Sequence, residues 1–279
     1  MSKPQPVTGL NAEGRVGAID LSWELPGWEP LVDHFAIHAS ESAEIPTTSD
    51  TLVGRTVYGR FSHDTLGVAA TTRYYRVVVV DAAGERSEPS AVVRAKSRAS
   101  MAASGRTLAQ VGEFDSKSLE LALAPFDASN RFRAAFPDGV DFVYGTSDPA
   151  TDWCYLHPGP RDGWGGRRAY TFRLRFNLGT VPEGEVGLVI WLIDTHMTLP
   201  GTAEVSVNSG LAAVIDLPGG STRGSLEGDA TVLGTALRPH FEELAVSANH
   251  FTEGENTIDI TKTEGSWHAY DAVGVFGIG

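Results

Sequence analysis

FVYGTSDPATDWCYLHPGPRDGWGGRRAYTFRLRFNL occupies residues 142–178, and its two ends differ in kind. From Tyr170 to Leu178 the residues alternate. Tyr170, Phe172, Leu174 and Phe176 fall on one face, and Thr171, Arg173, Arg175 and Asn177 on the other. A period of two over that length predicts a half-buried β-strand. Before it, Trp, Tyr, His, Arg and Asp are interleaved with the turn formers Gly, Pro and Ser. A chemically dense loop mounted on a strand scaffold is a common way to build a binding site.

Downstream, GLVIWLI (187–193) is continuously apolar and predicts a central strand buried on both faces. Further strands are expected at LAQVGEFD (108–115), EVSVN (204–208), 244–248, TIDIT (257–261) after a Gly254-Glu255-Asn256 turn, and YDAVGVF (270–276). Residues 116–134 read as irregular, because the leucines of SLELAL alternate where a helical repeat would be needed. So many strands with long loops predict a jelly roll over residues 107–279.

Upstream, AIDLSW (18–23) places Ile19, Leu21 and Trp23 on one face, and DHFAIHA (33–39) does the same with Phe35 and Ile37. Strands are also expected within 51–61, 73–81 and 91–95, with a turn at Ala82-Ala83-Gly84. Short strands with turns at this spacing predict a seven-strand sandwich over residues 1–97. His34, His38 and His63 are expected at its surface or rim. Lys96 to Arg106, KSRASMAASGR, is small, polar and basic, so a linker is placed at 98–106.

The chain has 279 residues, a net charge of -13 and a pI near 5.0. Phosphate backbones and anionic membrane surfaces call for a basic protein, so neither nucleic acid nor membrane is an expected partner. A local Arg cluster remains compatible with an acidic polysaccharide. A single cysteine, Cys154, excludes an intramolecular disulfide. No signal peptide and no apolar run long enough to span a bilayer is apparent. The N-terminal sequence therefore fits either a protein of the cell interior or part of a longer chain.

PVTGL (6–10), DLSW (20–23), Tyr74-Tyr75-Arg76-Val77 and DAAGERSEPS (81–90) resemble a fibronectin type III domain, in which Tyr74 or Tyr75 would make the tyrosine corner. The remainder resembles the C-terminal, carbohydrate-binding-module-like domain of rhamnogalacturonan lyases, polysaccharide lyase family four. That resemblance rests on VGEFD (111–115), YGTSDPATDW (144–153), YTFRLRFNL (170–178), GLVIWLI, VSVN (205–208), GENTIDIT (254–261) and YDAVGVF, in that family's order. The pairing implies an all-β chain: a fibronectin type III sandwich followed by a galactose-binding-like β-sandwich jelly roll. In that family the catalytic groups lie in a large N-terminal domain with no counterpart in these residues. The resemblance therefore implies a non-catalytic part that binds or positions a pectic polymer such as rhamnogalacturonan, working beside an upstream catalytic domain and secreted with it.

Sugar rings stack their C–H faces on aromatic side chains, and their hydroxyls pair with Asp and Arg. A uronate carboxylate suits the two-pronged guanidinium. The candidate carbohydrate contacts are accordingly Trp153, Tyr155, Arg161, Asp162, Trp164, Arg167, Trp267 and His268. Core packing competes as the explanation for Trp153, Tyr155 and Trp267, and is favoured for Trp153. A rival reading makes the loops catalytic, with His157 or His196 and Asp162 or Asp194 as acid–base groups. Against it, Asp194 fits a turn cap. No nucleophile elbow, zinc-protease or phosphate-loop motif is present. A purely structural or protein-interaction module is the third reading. Glu113, Asp115 and Asp271 lie in the first and last strands expected for the jelly roll, where hard oxygen ligands would suit a structural Ca²⁺.

Overall fold

The computed structural model describes residues 3–25, 32–221 and 237–278. The chain divides into two compact units, one running to Ser100 and the other starting at Met101.

The first unit contains β1 (Thr8–Arg15), β2 (Ala18–Glu24), β3 (Val32–Ser40), β4 (Leu52–Thr56), β5 (Arg60–His63), β6 (Thr72–Asp81) and β7 (Val93–Lys96). They form two sheets, β1-β2-β5 and β4-β3-β6-β7. The alternating residues meet between the sheets as expected. Ile19, Leu21 and Trp23 join Phe35, Ile37, Val77 and Val79 in one core, with Trp23 edge-on to Phe35 at 5.4 Å. Burying each such side chain stabilises the fold by roughly 1.5–3 kcal/mol. Of the two tyrosines, Tyr75 is the buried one, and its hydroxyl lies 2.9 Å from His63 Nδ1.

Two of the histidines expected at the surface or rim, His38 and His63, are buried. His63 sits under Tyr75, and loss of solvent lowers its pKa to about 4. His38 does point out of the sandwich, but the 3-10 turn Ser49–Thr51 brings Thr51 to cover it, with Nδ1 2.9 Å from Thr51 Oγ1. Residues 98–106 are divided between the units. Arg98 and Ser100 donate their backbone N–H groups to Arg15 O and Val68 O, whereas Met101 N–H bonds Glu243 and β8 starts at Arg106.

The second unit holds β8 (Arg106–Gly112), α1 (Ala128–Ala135), β9 (Val140–Val143), α2 (Pro149–Asp152), β10 (Leu156–His157), β11 (Thr171–Leu178), β12 (Glu185–Thr195), β13 (Thr202–Val207), β14 (Gly210–Asp216), β15 (His240–Ser247), β16 (Gly254–Lys262) and β17 (His268–Gly277). One sheet runs β10-β17-β12-β15, with β8 also pairing to β17; the other runs β14-β13-β16-β11-β9. β12 lies between two neighbours and is buried from Val186 to Thr195, as its apolar run predicts. β11 alternates as expected, burying Phe172, Leu174, Phe176 and Leu178. α1 replaces the end of the segment expected to be irregular. Ala128 and Phe132, four residues apart, are its buried face, and Phe132 meets Phe136, Trp164, Tyr170 and Phe172.

Candidate functional site

The dense loop does not stand clear of the sandwich. After α2 the chain turns inward, and β10 pairs with the start of β17, Leu156 opposite Ala269 and His157 opposite His268. That pairing carries four of the expected sugar contacts into the core. Trp153 is fully buried, edge-on to Phe172 and Tyr270 at 5.4 Å each. Tyr155, Trp267 and His268 are buried as well. None of the four presents a face to a ligand; they fill the space between the sheets, where large aromatic area contributes most.

Asp162, expected as a contact or an acid, is instead the staple that shapes the loop. One carboxylate oxygen accepts the Gly159 N–H at 2.8 Å, the other accepts the Ser266 hydroxyl, and the Asp162 carbonyl accepts the Arg167 N–H. Burial raises its pKa, and those bonds oppose the rise. Arg161 N–H donates to Gly265 O, and the Tyr170 hydroxyl donates to Gly165 O. At Gly165 a Cβ would lie 2.7 Å from the Pro158 ring, so only glycine lets the two backbones approach this closely.

Three expected contacts remain at the surface of this pinned loop. Arg161 and Arg167 are exposed, and Trp164 is half-buried, edge-on to Phe132. Arg168 is exposed too, but its guanidinium covers the Tyr170 ring at 4.3 Å and donates to Pro137 O. The rim therefore offers two cationic forks and one aromatic edge on a framework already held by hydrogen bonds.

The four acid–base candidates are each engaged by neighbouring groups. His157 is fully buried and stacked on Phe172, ring centroids 3.9 Å apart. Its Nε2 faces Tyr170 O at 2.9 Å, and a carbonyl can only accept, so Nε2 carries the proton. Its Nδ1 then accepts the Tyr270 hydroxyl at 2.9 Å. Burial moves its pKa down to about 3, so it stays neutral near pH 7. Asp194 is buried and accepts both the N–H and the hydroxyl of Ser221, at 2.9 and 2.7 Å, as a turn cap does. His196 Nδ1 accepts the Leu199 N–H at 3.0 Å, and Asp162 is the staple already described. Sequence gave no warning of Lys262, which is fully buried behind this loop and donates to Pro200 O. Burial lowers its pKa to about 7, against the pull of Asp162 and Glu264.

The expected calcium residues fit in part. Asp271 is fully buried; Oδ1 accepts the Lys117 N–H at 3.0 Å and Oδ2 has no hydrogen-bond partner. Burial raises its pKa to about 8, and the charges of Asp115 and Glu120 add to the rise. Glu113 and Asp115 are exposed; the Lys117 N–H bridges Asp115 Oδ1 and Asp271 Oδ1 at 3.0 Å each, so Asp115 lies beside Asp271, whereas Glu113 joins this cluster through its backbone N–H alone. Among the described residues no group of three or more His, Cys, Asp or Glu side chains is placed to hold a metal. Glu120, not foreseen, binds the Glu113 N–H at 2.8 Å and completes the acidic surroundings.

The second unit is thus an all-β sandwich of two sheets around one aromatic-rich core, with a polar loop pinned by hydrogen bonds. Residues 107–275 match the model of the family described as CBM-like: polysaccharide lyase family 4, domain III. That match takes in more than half of the 279 residues, and the chain belongs to this family. No curated protein matches the chain. Among solved structures, it is similar to a human fibronectin type III domain at 12% identity and a TM-score of 0.27, covering 36% of this chain and 84% of that one. An α-L-rhamnosidase from Dictyoglumus thermophilum matches at 12% identity and 0.29, covering 94% of this chain and only 26% of that one. A family 35 carbohydrate-binding module from an environmental isolate matches at 13% and 0.28, covering 39% and 66%.

Proposed function

We propose that the second unit binds polysaccharide at the rim of the 157–168 loop, with Trp164 against a sugar face and Arg161 and Arg167 on carboxylates. The observation that carries this is the staple. Asp162, Gly159 and Ser266 hold the loop with its two guanidiniums outward, so little conformational freedom is lost on binding. Family membership supports the carbohydrate. The two cations favour an acidic polymer, and we assign the pectic class, rhamnogalacturonan in particular. In this reading the chain works outside the cell beside a catalytic lyase domain and eliminates nothing itself, since His157 and Asp194 are buried and bonded.

Isothermal titration of the whole chain with rhamnogalacturonan, polygalacturonan and a neutral arabinan tests it. Saturable binding to the first, weaker to the others, is expected. Absence of binding to all three leaves only a structural role. Formation of an unsaturated, ultraviolet-absorbing product in the same samples would reinstate the enzymatic reading.

We also propose a structural Ca²⁺ at Asp271, whose unbonded buried oxygen is the reason. Asp115 or Glu120, with backbone carbonyls, would complete an all-oxygen shell once the ion displaced the Asp271 proton. Equilibrium dialysis against ⁴⁵Ca²⁺, with Asp271→Asn as control, reads this directly. No retained calcium in the wild type would overturn it.

A further inference from the structure

The first unit carries a cavity of about 330 Å³ on the outward face of the β4-β3-β6-β7 sheet. It is lined by His34, Ala36 and His38 of β3, Leu52 and Arg55 of β4, Val80 of β6, Gly84 and Arg86 from the turn after β6, and Thr48 and Ser49. Among the described residues no carboxylate lines it, in a chain of net charge -13. Among the described residues neither Arg55 nor Arg86 is ion-paired with a carboxylate at 4 Å or less, whereas Arg15, Arg73, Arg173 and Arg175 all are. Asp33 stands at the edge and engages His34 Nδ1 at 2.7 Å.

Arg86 is held in place by a specific chain of bonds. The Thr51 hydroxyl donates to the Pro46 carbonyl, so its oxygen must accept from His38 Nδ1–H. That fixes the tautomer, and His38 Nε2 is left with its lone pair facing Arg86 Nη2 at 3.2 Å. The same Nη2 donates to Thr47 O at 3.2 Å. A neutral histidine is thus spent on orienting a guanidinium. Burial, with Arg86 and Arg55 nearby, keeps His38 below its ordinary pKa, consistent with that state.

We infer that this cavity is a second binding site, for the carboxylate end of an acidic sugar unit. Arg86 and Arg55 take the carboxylate, which matches the guanidinium fork. Ala36, Leu52 and Val80 give the ring an apolar floor, and Thr48 and Ser49 supply hydroxyl partners at the edge. The volume falls at the lower end of the ~300–1,000 Å³ of small-ligand pockets. A cation is disfavoured by the two guanidiniums. The choice of an acidic sugar rests on the proposed function above; the oxyanion site rests on the first unit alone.

The test is titration of the whole chain with D-galacturonate, D-galactose or inorganic phosphate, following the imidazole NMR signals of His34 and His38. Galacturonate should shift both signals saturably and galactose should not. Arg86→Gln and Arg55→Gln should each weaken the effect at least tenfold, with unchanged His63 signals showing that the sandwich is intact. Equal shifts in wild type and both variants, or none with galacturonate, would overturn the site. Phosphate matching galacturonate in affinity would overturn the sugar assignment in favour of a simple oxyanion. Polysaccharide binding lost through Arg161 and Arg167 variants, with the His38 response kept, separates this site from the loop of the second unit.

Discussion

Replacing Asp271 by Asn makes a demanding test of the buried acid at the base of the second unit. The folded carboxyl has its pKa raised from 3.8 to about 8. Between those values the folded protein holds a proton that the unfolded chain has released. Stability is therefore unaffected below about pH 4, falls as pH rises, and carries the full penalty above about pH 8. Near pH 7 some three units, at about 1.4 kcal/mol each, give on the order of 4 kcal/mol. The amide has no charge to desolvate, and its oxygen keeps the acceptor role toward Lys117 N–H. Its unpaired NH₂ costs back about 1–3 kcal/mol. In chelator, Asp271→Asn should thus be more stable than wild type by roughly 1–3 kcal/mol near pH 7–8, with the gain shrinking toward pH 5. Urea denaturation across that pH range measures it. Calcium should reverse the order, stabilising the wild type and leaving the variant unmoved. A variant less stable at every pH, with the wild-type pH slope intact, would refute the reasoning.

Trp153→Ala should destabilise the second unit by about 3–5 kcal/mol, read by denaturant midpoint, while the folded fraction binds polysaccharide as before; lost affinity at full folding would make Trp153 a contact after all. Lys262→Met should be most favourable below about pH 7, where the buried amine is charged, and its advantage should fade toward pH 10 as the wild type sheds that proton. A difference independent of pH, measured by thermal melts, would contradict the placement of Lys262. Gly201 has φ of 63° and a Cβ there would lie 2.1 Å from Glu264 O, so Gly201→Ala should lower the melting temperature and weaken binding at the adjoining loop. Unchanged melting would show the backbone contact to be yielding.

Periodicity carried the architecture. The alternation of 170–178 and the apolar run 187–193 became β11 and β12 with their faces as read. α1 escaped because ASNRFRAA shows only Ala128 and Phe132 as its buried pair, too short a stripe to stand out against its polar neighbours. β14 escaped too: GLAAVID is an edge strand with Leu211 and Val214 exposed, so its pattern does not mark a buried face.

The site was less legible, for a definite reason. Turn formers around Trp153 and Tyr155 show that the chain bends there, not which way the aromatics swing. The direction is set by pairing of β10 with β17, more than a hundred residues away in sequence. The same holds for His38, whose outward face on β3 was correctly placed but is roofed by Thr51 from another segment. Arg161, Trp164 and Arg167 stayed at the surface because their glycine-rich neighbours and the Asp162 staple keep the loop short of the core.

Titration of rhamnogalacturonan oligosaccharides into the whole chain and into a Trp164→Ala, Arg167→Gln double variant of unchanged melting temperature tests the assigned rim most directly. Saturable binding by the wild type, weakened at least tenfold in the double variant, is the predicted result. Equal affinity for the two proteins, or no binding by the wild type, would contradict it.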